Sequence, residues 1–131
     1  MRRHLGAIAI VVLAGCGAEH VDPPDPRCTD ADSIEHVAAG GTGPRISECV
    51  RRATRESDLQ DVGFAVSRAA DRLGAGTDAH ALGFLIGAVR RGTGDSGVQA
   101  ELVNRVEAVA RRMAGRTATV QQGIAEGEAR G

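Results

Sequence analysis

The stretch Ala79-His80-Ala81-Leu82-Gly83-Phe84-Leu85-Ile86-Gly87-Ala88-Val89 decides the fold. It follows Thr77-Asp78 and runs into Arg90-Arg91-Gly92, so it carries a polar start, two cations at its end and a glycine stop. A helix that is hydrophobic nearly all round has no face to give to water and is buried, and Arg90 and Arg91 complement the negative end of its dipole. The segment therefore predicts the central helix of a bundle. Gly83 and Gly87 stand four residues apart on it, the small-x-x-x-small spacing that admits a second helix backbone at close range. The expected occupant of that groove is the third or the fifth helix, with Ala69, Ala70 and Ala110 as partners. The alternative is a helix from a second copy or from a protein partner.

Apolar residues recur at helical spacing on either side of this segment. Asp30 to Ala39 reads as a short helix carrying Ile34, Val37 and Ala38, closed by Gly40-Gly41-Thr42-Gly43. Pro44 suits the start of a second helix, which carries Ile46, Cys49, Val50 and Ala53 on one face. Ser57 and Gln60 form an S-x-x-Q capping box for a third helix through Leu59, Val62, Val66, Ala69 and Leu73, which Gly74 is expected to close. A fifth helix from about Gly97 to Ala114 carries Val98, Leu102, Val106, Val109 and Met113, and Gly115 follows it. Beyond that, Val120 and Ile124 lie among Gly123 and Gly127 with little bulk, which predicts a weakly ordered stretch. No strand pattern and no long repeat occur. The expected fold class is all-α, a small bundle of four to five short helices over residues 28–115, with 116–131 as a weakly ordered tail.

All 16 basic residues are arginine, and the formal charge is −1. There is no basic excess for nucleic acid, since pairs such as Arg90-Arg91 alternate with acidic residues. Phe64 and Phe84 are the only aromatic residues, too few to make a stacking platform for bases or sugars. Gly92-Thr93-Gly94-Asp95-Ser96-Gly97 satisfies G-x-G-x-x-G, but a dinucleotide fingerprint needs a strand before it, and here helices flank it. Gly94-Asp95-Ser96-Gly97, with His80 upstream, resembles the sequence around the nucleophile of chymotrypsin-like serine proteases. That family folds as two β-barrels, whereas Ser96 and Gln99 read as a second capping box. His20, His36 and His80 stand at no ligand spacing from one another or from cysteine. No cofactor, metal or small-molecule substrate is expected.

The N-terminus carries a different signal. Arg2, Arg3 and His4 precede an apolar run from Leu5 to Ala14 that ends on Gly15-Cys16, about half of the ~20 residues a membrane-spanning helix needs. Leu13-Ala14-Gly15-Cys16 resembles the lipobox of a bacterial lipoprotein signal peptide. The resemblance implies removal of residues 1–15 as a signal peptide and lipidation of Cys16, with the protein held to a membrane through its acyl chains. Gly17, where these lipoproteins often carry an Asp that retains them at the inner membrane, favours the outer membrane. Residues 16–27 then form the lipidated Cys16 and a flexible Pro-rich acidic tether, AEHVDPPDPR over 18–27.

With Cys16 assigned to lipid, Cys28 and Cys49 remain as an even pair in an oxidising compartment. A bridge between them closes a loop of about twenty residues, which stabilises a domain by ~3 kcal/mol on the chain-entropy estimate; metal binding by the two thiols is the alternative. The expected function is a non-enzymatic helical binding or adaptor module of the cell envelope with a protein partner, in shape similar to small helical pilotin-type lipoproteins. The alternative is a small periplasmic or surface hydrolase using Ser96.

Overall fold

The computed structural model describes residues 22–94, 97–113 and 115–131, and of Val98 the backbone only. All regular structure among them is helical: a 3-10 turn at Pro26–Thr29, then α1 Ala31–Ala38, α2 Ile46–Arg52, α3 Glu56–Ala75, α4 Ala79–Gly92, α5 Gly97–Arg111 and α6 Thr117–Arg130. The all-α expectation holds, with one more α-helix than the largest number expected.

Side-chain caps begin the helices where the sequence supplies them. Asp30 Oδ2 accepts from Ser33 N at 2.9 Å to start α1, and Asp78 Oδ1 accepts from Ala81 N at 2.9 Å to start α4, each satisfying an N–H that the helix leaves unpaired. The Ser57 capping box does not form. α3 starts at Glu56 with Arg55 in the cap position and no side-chain cap, and the acidic Glu56 and Asp58 of its first turn complement the dipole. Gly74 does not close α3 either. It lies inside the helix, where the absence of a side chain makes room for Val109 of α5, and the chain leaves α3 at Gly76. The first regular element among the described residues is the 3-10 turn at Pro26–Thr29, which contains Cys28. There Asp25 accepts from Arg27 N at 2.9 Å and from the Arg27 guanidinium, so the end of the expected tether is folded back on itself.

Every residue from Ala81 to Val89 is buried, and α1, α2, α3, α5 and α6 all touch α4. Around it, Ile34, Ile46, Val50, Val62, Val66, Val89 and Val106 are 0–1 % exposed, with alanines filling the spaces between. Phe84 is the one aromatic side chain in this interior. Cys28 and Cys49 are joined in a disulfide with Cα atoms 5.4 Å apart. The bridge is buried and ties the 3-10 turn to α2.

The largest departure from expectation is the C-terminal segment. Residues 117–130 form α6, and α6 packs on α4. A Cβ added to Gly83 would overlap the carbonyl of Val120, and one added to Gly87 would overlap the carbonyl of Ile124. In return, a Cβ on Gly123 would overlap the carbonyl of His80, and one on Gly127 that of Phe84. Four glycines thus place two helix backbones in direct contact, and their order shows α4 and α6 running parallel. Ala69, Ala70 and Ala110 are not the partners of the Gly83–Gly87 face. They were expected there because α6 was read by side-chain bulk, and bulk is what this interface excludes.

Parallel helices set like dipole ends side by side, and arginines meet the two negative ends. Arg91 donates to the carbonyls of Glu128 and Ala129, and Arg90 pairs with Glu128 at 3.2 Å and Glu107 at 2.7 Å. The hydrogen bond to Glu107 foremost, then the bond to Glu128 and the negative charge of both carboxylates, hold the Arg90 pKa above its usual value against the opposing effect of burial. Beyond α6, the hydroxyl of buried Ser47 donates to the Gly131 oxygen.

The same substitution should therefore have opposite signs at two glycines. Gly127→Ala forces two backbones apart and should destabilise by ~1–3 kcal/mol, as overpacked interiors do. Gly63→Ala, where an added Cβ meets only Leu102 at 4.0 Å, should stabilise α3 by up to ~1 kcal/mol through helix propensity. Urea unfolding of both variants measures this, and equal effects would remove the close-contact account. Reducing the Cys28–Cys49 bridge, which spans 21 residues, should lower stability in the same assay by ~3 kcal/mol.

Candidate functional site

The expected site residues fall in different places. Cys16 and Ser96 lie outside the described residues. Gln99, expected to share a capping box with Ser96, sends its Oε1 to Gly94 N at 2.7 Å and its Nε2 to the Val50 carbonyl at 3.4 Å. It thereby fastens the start of α5 to α2. Gly83 and Gly87 lie under α6, so their groove is filled by the chain itself.

His80 opens onto a cleft of about 270 Å³ between the Gly40–Arg45 loop and the α4–α6 pair. Its Nε2 pairs with Glu126 at 2.9 Å. Glu126 is also held by Arg130, whose guanidinium lies 5.3 Å above the Phe84 ring. The hydrogen bond from Arg130, then the nearby positive charge, keep the Glu126 carboxyl below its usual pKa. Because the folded-state pKa is lowered, the stabilisation from this tie is fully present above the ordinary carboxylate range and is lost as the pH falls below that range through the lowered value. The arrangement crosslinks α4 to α6 at the surface; among the described residues that line the cleft, Asp78 stands two residues before His80 and caps the start of α4. No group of three or more His, Cys, Asp or Glu side chains able to hold a metal occurs among the described residues. No helix among them is long and apolar enough to cross a membrane.

A second surface is built differently. Along the seam of α3 and α5 runs an open groove of about 1260 Å³, with Leu59 and Gly63 of α3 and Leu102 of α5 in its lining. Phe64 stands in it 65 % exposed, the one large hydrophobic side chain left in water among the described residues. Charged groups border it: Glu56, Asp61, Arg68 and Asp71 from α3, Glu101 and Arg105 from α5. Arg68 places its guanidinium 5.5 Å over the Phe64 ring, and Arg105 pairs with Glu101 at 3.2 Å. The groove is larger and more open than the ~300–1,000 Å³ concavities that enclose small molecules, and its proportions suit an extended partner such as a helix. An apolar ring inside a charged rim is the general form of a protein-binding patch.

Helical phase was enough to place Phe64 on this surface. It stands two residues after Val62, about 200° around the helix at 100° per residue, and so opposite the buried series of Val62, Val66, Ala69 and Leu73. Beneath it, the Oγ of Ser67 is shielded from solvent and has no hydrogen-bond partner. Comparison with known proteins finds no matching family model, no matching curated protein and no matching solved structure.

A buried hydroxyl without a partner costs its desolvation. Ser67→Ala should therefore raise stability by about 1 kcal/mol, read as a higher urea midpoint with an unchanged slope. A fall in the midpoint would mean that the hydroxyl is bonded in solution.

Proposed function

We propose that this chain is a lipid-anchored cell-envelope protein, held to the outer membrane through Cys16, whose helical domain is a non-enzymatic binding or adaptor module. The observation that carries the binding role is Phe64, held in water over an apolar groove between α3 and α5. Leaving a phenylalanine exposed forgoes ~1.5–3 kcal/mol of burial, and nothing in the interior prevents its replacement by a polar residue at that phase. Set in a groove with Leu59 and Leu102 and rimmed by charged side chains, Phe64 supports a reading of this face as a contact surface for another macromolecule. The anchor is supported by Arg2, Arg3, the apolar run from Leu5 and the sequence Leu13-Ala14-Gly15-Cys16. Gly17 supports the outer membrane as the destination.

The test expresses the full chain in a bacterium with two membranes and measures the intact mass and the fraction that sediments with each. Cleavage before Cys16 with added diacylglyceryl, outer-membrane sedimentation, and release into the soluble fraction on Cys16→Ser are expected. An unmodified Cys16 would overturn the anchor. A photocrosslinking residue in place of Gln60, at the groove edge, should trap a discrete protein adduct that Phe64→Ala abolishes. An adduct pattern indifferent to Phe64→Ala would overturn the binding role of this face.

A further inference from the structure

The α3 face around Phe64 carries a pattern with its own complement. Asp61 stands three residues before Phe64 and Arg68 four after it, and at 100° per residue both fall on the same flank, about 60° and 40° round from the ring. Asp61 and Arg68 are both exposed, and among the described residues neither has an ion pair; Arg68 rests on its own Phe64 ring. A two-fold axis perpendicular to α3, passing beside it between two copies and level with the midpoint of Phe64 and Ala65, sets Asp61 of one copy level with Arg68 of the other. Each lies about 5 Å along the helix from the axis at 1.5 Å per residue. The operation makes this pair twice, once at each end, and brings the two Phe64 rings within about 2 Å of the same level, where they overlap as offset rings. On the opposite flank it sets Gln60 beside Ser67. Gly63, exposing backbone next to the ring, leaves space on which the incoming Phe64 can lie.

We propose that the occupant of this face is a second copy of the chain, docked antiparallel through α3 about a two-fold axis at Phe64. The proposal rests on the reading of the α3–α5 surface as a binding face, and it names the partner. One helix carries the ring, the acid one turn before it and the base one turn after it, so a single surface supplies both halves of an isologous contact. Charge pairing fixes the antiparallel direction, since a parallel two-fold puts the Asp61–Arg68 flanks of the two copies on opposite sides of the seam and at unmatched levels, and forms neither pair.

Sedimentation equilibrium of the full chain in mild detergent tests this, with far-UV circular dichroism showing that each variant folds. The wild type should self-associate. Asp61→Arg and Arg68→Asp should each weaken association by at least about tenfold, because each opposes like charges twice. The doubly substituted chain, with the two charges exchanged, should return to near the wild-type constant, and Phe64→Ala should weaken association without changing the fold. A monomeric wild type, or a double variant no better than either single one, overturns the second-copy occupant. A monomeric chain that still gives a Phe64-dependent adduct with a different polypeptide overturns this inference and leaves the binding role standing. Loss of all Phe64 dependence overturns both.

Discussion

Direct contact between the backbones of α4 and α6 is the constraint on which the rest of the structure depends. Gly83 and Gly87 face Gly123 and Gly127 with no side chain between them, so dispersion contact is made by main-chain atoms at a distance no alanine pair permits. That proximity does for α6 what large side chains do for α3. It gives a glycine-rich helix with little intrinsic propensity a fixed platform. It also completes the burial of α4, whose apolar circumference would otherwise be open along one side. The parallel direction follows from the register of the glycines, and Arg90 and Arg91 supply positive charge where the two negative ends coincide.

The interior is otherwise poor in large groups, and covalent and ionic ties are placed where aliphatic contact is thin. The Cys28–Cys49 bridge holds the entry turn to α2. Arg72 of α3 reaches Asp32 and Glu35 of α1, so the short α1 is attached to the longest helix. Exposed pairs of this kind contribute little each, and the disulfide is the strongest of these ties. The result is a scaffold in which α3 is braced from one side by α1 and from another by α5. Its remaining face, that of Phe64, is left open to water.

The all-helical fold was legible because Val, Leu and Ile at spacings of three and four leave only one secondary structure able to bury them. The central position of α4 followed from its unbroken apolar run, and the α1 and α4 starts from Asp30 and Asp78. What was not legible shares one cause. Gly74, Gly123 and Gly127 were read as breaks or stops, since glycine lowers helix propensity. In the structure each lies within a helix and provides room for a neighbour, and a search for bulk does not register that role. Ser57 and Gln60 fit a capping pattern four residues long, but Glu56 and Asp58 give the preceding turn its own electrostatic start. Phe64 lies outside the apolar periodicity of α3, and only its phase against Val62 and Val66 marks it as exposed, whereas the spacing of Gly83 and Gly87 is plain in the sequence and their groove is filled by α6.

The dependence of α6 on α4 has a consequence for the order of assembly. Some forty residues separate the glycines of α4 from those of α6, and closing a loop of that length has to precede any gain from their contact. α1 meets α4 across a span at least as long, and α6 has no platform until α4 is in place. The approach of α6 to α4 thus becomes possible only once the intervening chain has closed, and it is the step that covers the last side of α4. The glycines that set this approach therefore bear on the closure of the bundle as well as on its final stability.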